Sequence, residues 1–266
     1  MAKTTYASLL SEVRAKRPLV HHITNYVTVN DCANATICIG ASPVMAHAGD
    51  EVAEMVSMAG ALVLNIGTLD DIQVGAMLRA GVKANDIGVP IILDPVGAGA
   101  TRLRTYSAQR LLHDLDIAVL KGNVAEIATL AGAGGEIKGV DSQGMSGEPL
   151  AVAKKFAKDM GIIVAVSGPT DIVTDGDKAL LVDNGHPLMG RVSGTGCMAA
   201  SLAGAFTAVS KDYLSATAAA FASFGLAGER AAPQSRGPAS FKVALLDELY
   251  RLTPEELEKG ARVREA

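Results

Sequence analysis

Short apolar runs alternate with longer helical stretches along most of this chain, and this alternation constrains the fold more than any other feature. The runs are rich in β-branched residues and read, in chain order, LVHHIT, ALVLNI, VPIILD, DIAVLKG and GIIVAVSG. Strands that alternate with helices form parallel sheets, with the connecting helices packed on the two faces. The pattern therefore predicts an α/β fold with a mostly parallel central sheet and helices on both faces.

The segment IIVAVSGPTDIVTDGDKALLVDNG departs from this alternation, because its apolar runs follow one another through turns of Gly, Pro and Asp. Strands that are joined by short turns pair in the antiparallel direction. We therefore expect an antiparallel edge to the sheet. After Gly194 the sequence predicts an almost wholly helical chain.

The composition fits one large packed core. Of the 266 residues, 49% are hydrophobic and only 4% are aromatic, so small aliphatic side chains let helices pack closely on a sheet. The sequence has no internal repeat and no linker-like stretch, and we predict a single domain spanning residues 1–266. The longest irregular segment, at residues 130–149, is rich in glycine and predicts a surface loop.

Charge and cysteine content argue against several classes of partner. The formal net charge is -4 and no basic cluster occurs, so we expect neither nucleic acid nor a membrane as a partner. The start of the chain lacks the apolar core of a signal peptide, and the apolar segment YLSATAAAFASFGLAGERAA predicts a buried helix. Three cysteines without a CxxC pair indicate neither a disulfide framework nor a zinc site, and they favour a cytoplasmic location.

Polar residues follow the apolar strands, and in open parallel sheets ligands bind beyond the carboxyl ends of the strands. The candidates there are Asn25, Gly67, Asp94, Lys121, Asn123, Glu126 and Ser167. Asp94 and Glu126 supply two carboxylates, the usual protein share of a magnesium site, and Lys121 adds a cation for phosphate. Each also has a simpler explanation: Asp94 as a turn residue, Glu126 as a favourable charge at a helix N-terminus, and Lys121 as a solvated charge.

The segment RVSGTGCMAA is a second candidate for anion binding. Gly194 and Gly196 flank Thr195, and the alanine-rich run that follows predicts a helix. A helix N-terminus offers unpaired N–H groups that suit a phosphate, whereas the simpler interpretation is a turn with Cys197 as a small buried residue. The Walker pattern is absent. GTGCMA satisfies the loose dinucleotide fingerprint, but it follows a polar stretch rather than a strand, which argues against a dinucleotide site.

Several longer blocks resemble the hydroxyethylthiazole kinase family of thiamine biosynthesis. In order and spacing, the resemblance is carried by HHITNYVTVNDCANATICIGASPVMA, ALVLNIGTL, LDPVGAGAT, LKGNVAEI, KGVDS, VAVSGPTDIVTDG, SGTGCMAA and GPASFKVALLDEL. It runs from about Pro18 to Tyr250. It implies a ribokinase-like three-layer fold, a homotrimer with active sites between subunits, and ATP-dependent phosphorylation of the primary alcohol of 4-methyl-5-(2-hydroxyethyl)thiazole.

The same resemblance implies roles for individual residues. The thiazole pocket would be lined by Asn25, Val27, Met45, Gly67 and Gly194. Lys121, Asn123 and Ser167 would contact ATP, Asp94 and Glu126 would serve Mg²⁺, and the catalytic loop would comprise Gly194, Thr195, Gly196 and Cys197. The family often has arginine where Lys121 stands, and lysine keeps the charge but loses the bidentate fork.

Cys197 stands where related ribokinase-like enzymes typically have an aspartate that acts as a base. A helix N-terminus lowers the pKa of a thiol, whereas nearby ATP phosphates would oppose a second negative charge. Because the transition state of phosphoryl transfer is loose, a strong base is not essential. We hypothesise that Cys197 shapes the site and hydrogen-bonds the hydroxyl, while N–H groups of the loop stabilise the transferring phosphoryl group.

Three other functions fit the same kind of chain. A lyase that dehydrates hydrated nicotinamide nucleotides would need a wider pocket than GASPVMA, with Met45, suggests. A pyrimidine-alcohol kinase would lack the HHITNYVTVND start. A regulator built on an inactive kinase would have lost a metal carboxylate or a loop glycine, yet Asp94, Glu126 and Gly196 are all present.

Overall fold

The apolar β-branched runs form strands of one sheet. The structure, a computed structural model, describes residues 5–132 and 147–266. The strands in these ranges are β1 (Leu19–Ile23), β2 (Ser42–Val44), β3 (Ala61–Asn65), β4 (Ile91–Asp94), β5 (Val119–Asn123), β6 (Ile163–Ser167), β7 (Asp171–Thr174), β8 (Ala179–Val182) and β9 (Val263–Glu265). They lie side by side in the order β2-β1-β3-β4-β5-β6-β7-β8-β9.

The pairing directions confirm the mostly parallel sheet and its antiparallel edge. Strands β2, β1, β3, β4, β5 and β6 are parallel, and β7, β8 and β9 continue the sheet in the antiparallel direction. The register sets Asn65 opposite Asp94 and Asn123 opposite Ser167. The carboxyl ends of the central strands therefore meet at one edge.

The end of the chain differs from the sequence-based expectation. The prediction of an almost wholly helical chain after Gly194 is wrong for its last residues, because β9 pairs with β8. Edge strands expose unpaired N–H and C=O groups, and β9 satisfies those of β8 although its own sequence, VRE, has little strand character. The surface loop predicted at residues 130–149 lies largely outside the described residues, which exclude 133–146.

Helices cover both faces of the sheet. They are α1 (Tyr6–Lys16), α2 (Val29–Ile39), α3 (Val52–Val56), α4 (Asp71–Ile87), α5 (Arg102–Asp114), α6 (Val124–Leu130), α7 (Gly147–Met160), α8 (Thr195–Thr207), α9 (Tyr213–Ala231), α10 (Pro238–Arg251) and α11 (Pro254–Gly260). Within the described ranges, none of them is long and apolar enough to cross a membrane.

Two separate hydrophobic clusters confirm the three layers. Ala61 and Val63 of β3 pack with α1, α2, α8, α9, α10 and α11 on one face. Leu62 and Leu64 of the same strand pack with helices α3 to α7 on the other. Successive strand residues point to opposite faces, so one strand contributes to both clusters.

Helix α8 is held directly against the sheet. Every residue from 198 to 207 is buried, and the helix is rich in Ala and Gly. A Cβ atom on Gly204 would lie 2.7 Å from Cγ2 of Val63, so glycine is what permits this close approach. The N-terminus of α8 is thereby fixed near the carboxyl ends of the central strands.

Candidate active site at the carboxyl edge of the sheet

A chain of buried polar side chains crosses the carboxyl edge of the sheet from β1 to β5. Nδ2 of Asn25 donates to Oδ1 of Asn65 at 2.8 Å, and Nδ2 of Asn65 donates to Oδ2 of Asp94 at 2.7 Å. Nζ of Lys121 lies 3.4 Å from Oδ1 of Asp94. None of these side chains belongs to a residue that is more than 4% exposed. The structure therefore brings together Asn25, Asp94 and Lys121, which sequence reasoning had selected separately.

Asn65 joins the two halves of this polar chain, and sequence reasoning missed it. Its Oδ1 accepts hydrogen bonds from Asn25 and from the N–H of Gly67, while its Nδ2 binds Asp94. An amide side chain suits this place because it both donates and accepts. The signal was present in the sequence, since Asn65 is the polar last residue of an otherwise apolar strand, ALVLN.

Burial and neighbouring charges set the protonation of the ion pair. Burial raises the pKa of Asp94 to about 6, Lys121 opposes the rise, and Glu126 adds to it. Burial alone would lower the pKa of Lys121, but the negative charges of Asp94 and Glu126 outweigh it and raise that pKa above its usual value. Lys121 thus remains a fixed positive charge at this edge.

Glu126 is held by backbone N–H groups at the start of α6. Its Oε1 accepts from the N–H of Gly97 at 2.8 Å, and its Oε2 accepts from the N–H of Asn123 at 2.8 Å. Oδ1 of Asn123 accepts from the N–H of Glu126 at 2.9 Å. The two residues form a capping box, which stabilises the helix start and orients the carboxylate.

The glycine loop places the first turn of α8 beside Lys121. Gly194 has φ of +92°, and a Cβ atom there would lie 2.4 Å from Cγ2 of Thr28. A Cβ atom on Gly196 would lie 2.9 Å from Nζ of Lys121. The hydroxyl of Thr195 donates to the carbonyl of Met189 at 3.1 Å and so braces the preceding turn. The ammonium group and the free N–H groups of the helix start therefore form one positive surface.

Cys197 lies at the end of the polar chain, where its Sγ accepts from Nδ2 of Asn25 at 3.4 Å. Burial raises the pKa of this thiol, and the charge of Asp94 raises it further, although Thr28 and Lys121 act in the opposite direction. The lowering expected for a helix N-terminus is therefore outweighed. Cys197 is a neutral thiol in this environment.

The other predicted pocket residues differ in how closely they join the cluster. Gly67 does so, because a Cβ atom on it would lie 2.8 Å from Cβ of Asn25. Val27 is 68% exposed, and Met45 is half-buried after the edge strand β2. Within one subunit, neither Val27 nor Met45 lies among the buried polar side chains that run from Asn25 to Lys121.

A pocket of about 550 Å³ opens next to the glycine loop. Polar residues of its wall include Ser167, Thr195 and Gly196, and its apolar side chains include Phe221 and Phe224 of α9. The hydroxyl of Ser167 donates to the carbonyl of Gly122 at 3.3 Å. The pocket therefore connects the positive surface at α8 with an apolar slot of the size that a small organic ligand needs.

Arg104 is a further residue that sequence reasoning missed. Its guanidinium donates to the carbonyl oxygens of Val96 at 2.7 Å and of Gly67 at 2.8 Å, and more weakly to that of Ile66 at 3.3 Å. It ties the loops after β3 and β4 to each other. No sequence pattern indicates this role, because the partners are backbone atoms brought together only by the fold.

Two carboxylates are available to a metal at this edge. In the described part of the chain, no group of three or more His, Cys, Asp and Glu side chains is arranged to hold a metal ion. Asp94 and Glu126 are hard oxygen donors, and their negative charge exceeds the single positive charge of Lys121. This donor set fits Mg²⁺, which keeps several of its positions for water and phosphate.

Comparison with known proteins identifies the family. Residues 10–255 match the model of the Hydroxyethylthiazole kinase family. The chain belongs to this family. A hydroxyethylthiazole kinase of Methanocella arvoryzae is 66% identical over 264 residues, which is 99% of each chain. The structure of a hydroxyethylthiazole kinase from Pyrococcus horikoshii OT3 superimposes with a TM-score of 0.91 at 46% identity, covering 98% of each chain.

Membership of the hydroxyethylthiazole kinase family confirms the enzyme class and the activity expected from the sequence, phosphorylation of hydroxyethylthiazole in thiamine biosynthesis. A ribokinase-like superfamily protein from Enterococcus faecalis V583 shares the fold at 13% identity, with a TM-score of 0.63 and coverage of 96% of this chain and 91% of that one. The ribokinase-like fold class is therefore confirmed as well.

Proposed function

We propose that this member of the hydroxyethylthiazole kinase family transfers the γ-phosphoryl group of ATP to the primary alcohol of 4-methyl-5-(2-hydroxyethyl)thiazole, with Mg²⁺, at the carboxyl edge of its sheet. The observation that carries the proposal is the buried chain from Asn25 through Asn65 and Asp94 to Lys121. It joins uncharged amides, suited to an alcohol, to charged groups, suited to a phosphate.

Lys121 and the N-terminus of α8 bind the transferring phosphoryl group. The transition state of this transfer spreads negative charge over the phosphoryl oxygens, so fixed positive groups stabilise it. Lys121 is buried and held by Asp94, and Gly196 leaves room for its ammonium beside the helix. The cation therefore need not reorganise during the transfer. Thr195 keeps the loop in place through the carbonyl of Met189.

Asp94 and Glu126 are the residues that would hold Mg²⁺. When bound, the ion neutralises phosphate charge and helps to orient the donor. The chain prepares this role by fixing both carboxylates: Asn65 donates to Asp94, and the N–H groups of Gly97 and Asn123 donate to Glu126. Each oxygen accepts one hydrogen bond and retains a lone pair for a cation.

Asn25 and Cys197 hold the alcohol. The neutral thiol of Cys197 hydrogen-bonds the hydroxyl and shapes the site, and proton loss late in the reaction removes the need for a thiolate. Gly67 lets the side chain of Asn25 pack directly against the loop after β3, which fixes the amide beside the alcohol. Val27 and Met45 contact the thiazole ring, and Ser167 and Asn123 contact ATP, whose nucleoside occupies the 550 Å³ pocket.

The active assembly is a homotrimer whose sites lie between subunits. Support comes from apolar side chains beside the site: Tyr26 is 61% exposed and Val27 is 68% exposed, and burial of such groups favours association. Each subunit is one domain spanning residues 1–266. The enzyme works in the cytoplasm, where its free cysteines Cys32, Cys38 and Cys197 stay reduced.

The test is formation of ADP by the purified chain with ATP and Mg²⁺, with and without hydroxyethylthiazole, together with the mass of the product. ADP that depends on the alcohol, with one phosphate added to the thiazole, is the expected result. ATP binding without a phosphorylated thiazole would contradict the proposal. Parallel reactions with a pyrimidine alcohol and with hydrated nicotinamide nucleotides identify the activity in that case.

A further inference from the structure

A half-buried carboxylate outside the catalytic cluster forms part of the wall of the 550 Å³ pocket. Asp171 begins β7, and its Oδ1 accepts a hydrogen bond from the N–H of Gly168 at 2.9 Å. Burial raises its pKa to about 7, although Gly168 and the more distant charge of Lys121 both act to lower it. Among the described residues no cation forms an ion pair with it. Burial of a carboxylate without a paired cation lowers the stability of the fold, so a role in ligand binding explains Asp171 better than a role in stability does.

The charges around the pocket divide it into two parts. Gly196 and Thr195 bring the positive start of α8 to the pocket wall, and Lys121 lies directly behind Gly196. In the proposed function the polyphosphate of ATP binds there, and the negative charge of Asp171 would repel it. The neutral nucleoside must therefore be the part of ATP that meets Asp171.

The chemistry of the wall distinguishes the base from the sugar. The apolar side chains Phe221, Phe224 and Met189 suit a planar base. A carboxylate is an acceptor, and the ribose offers two adjacent hydroxyl donors. Carboxylates that bind ribose hydroxyls are a recurring device of nucleotide sites on parallel sheets.

We propose that Asp171 accepts hydrogen bonds from the ribose hydroxyls of the nucleotide and thereby makes the enzyme prefer ribonucleotides to deoxynucleotides. This inference rests on the proposed function, in which ATP occupies the pocket. The residue keeps part of its surface open to the pocket. Gly168 uses one of its oxygens and leaves lone pairs for the sugar.

The test compares kcat/KM for ATP, 2′-deoxy-ATP and 2′,3′-dideoxy-ATP in the wild-type enzyme and in Asp171→Asn and Asp171→Ala. The matched control is Asp177→Asn, which removes an exposed carboxylate of the β7–β8 turn that pairs with Lys158. We expect the wild type and the control to prefer ATP over the dideoxy analogue by about 10- to 100-fold, the usual range for hydrogen bonds to a charged group. The preference should shrink in Asp171→Asn and vanish in Asp171→Ala, mainly through KM.

An unchanged preference in a folded Asp171→Ala enzyme would overturn the inference. So would a loss of discrimination between ATP and inosine triphosphate with the ribose preference intact, because it would assign Asp171 to the base. Asp171→Asn keeps the acceptor for Gly168 and serves if the alanine variant does not fold. A wild-type enzyme that phosphorylates no thiazole with ATP would instead contradict the proposed function, so the two failures are distinguishable.

Discussion

At the scale of single residues, the site is organised by hydrogen bonds between side chains that are far apart in the sequence. Asn65 holds Asn25 and Asp94 in one orientation, and Asp94 holds Lys121. Each of these buried side chains is hydrogen-bonded to another buried side chain. Removing one of them therefore leaves its neighbour with an unpaired polar group. The geometry of the alcohol side and that of the phosphate side are therefore linked.

Cys197 gives the sharpest test at this scale, because its thiol is neutral and contacts Asn25. We expect Cys197→Ala to lower kcat by about 10- to 100-fold, since it removes one hydrogen bond and some shape but no base. Steady-state kinetics with hydroxyethylthiazole measures this. A loss of about 10⁴-fold or more would contradict the account and assign Cys197 as a general base.

At the scale of elements, the start of α8 depends on the left-handed backbone of Gly194. We expect Gly194→Ala to destabilise the fold by at least about 1–2 kcal/mol and to abolish most activity, because alanine is strained at this φ and its Cβ would collide with Thr28. Gly88→Ala is the matched control: Gly88 ends α4 with φ of +73° and has no atom within 4 Å of the added Cβ.

Thermal unfolding and activity of the two variants check this prediction. Gly88→Ala should show the backbone strain in its Tm and retain normal kcat. If both variants lose activity equally, the collision between residue 194 and Thr28 does not explain the loss of activity in Gly194→Ala.

Strand β1 makes the stability of the fold depend on pH. Burial lowers the pKa of His22 from 6.5 to about 4. Between these pH values the unfolded chain binds a proton that the folded chain excludes. The folded state is therefore not destabilised by His22 above about pH 6.5, and it loses stability as the pH falls towards 4. The full effect is about 3 kcal/mol. Denaturant unfolding of His22→Gln should show a weaker loss of stability over this range than the wild type.

Equal slopes for His22→Gln and the wild type between pH 6.5 and 4 would refute the role given to His22.

At the scale of the whole molecule, the sequence predicted those elements whose residues are patterned locally. Strands β1 and β3 to β8 follow apolar runs, and the fold class follows from their alternation with helices. The strand character of β2 and β9, each of three residues, comes from pairing with a neighbour, which no local pattern reveals. Asn65 could have been noticed at its strand end, whereas Arg104 could not, because it binds backbone oxygens. The roles of Val27 and Met45 rest on family resemblance and stay predictions.

The proposed trimer belongs to the same scale. We expect the purified chain to have three times the mass of one subunit, and Val27→Glu to reduce both this mass and activity, because it sets a charge in an apolar interface beside the site. Light scattering coupled to gel filtration measures the mass. A wild-type monomer with full activity would exclude the trimer, and the exposed side chains of Tyr26 and Val27 would then not belong to a subunit interface.

The central claim is that the buried chain around Asp94 carries phosphoryl transfer, and Asp94→Asn tests it most directly because asparagine keeps the size of the side chain and removes its charge. The measurement is the rate of thiazole phosphate formation, followed by ³¹P NMR, in the wild type, in Asp94→Asn and in Asp116→Asn. Asp116 serves as the control, because it is exposed and precedes the N-terminal end of β5, away from the site. We expect a loss on the order of 10³-fold in Asp94→Asn alone, with its fold intact. Thiazole phosphate formed at the wild-type rate by a folded Asp94→Asn enzyme would contradict the account.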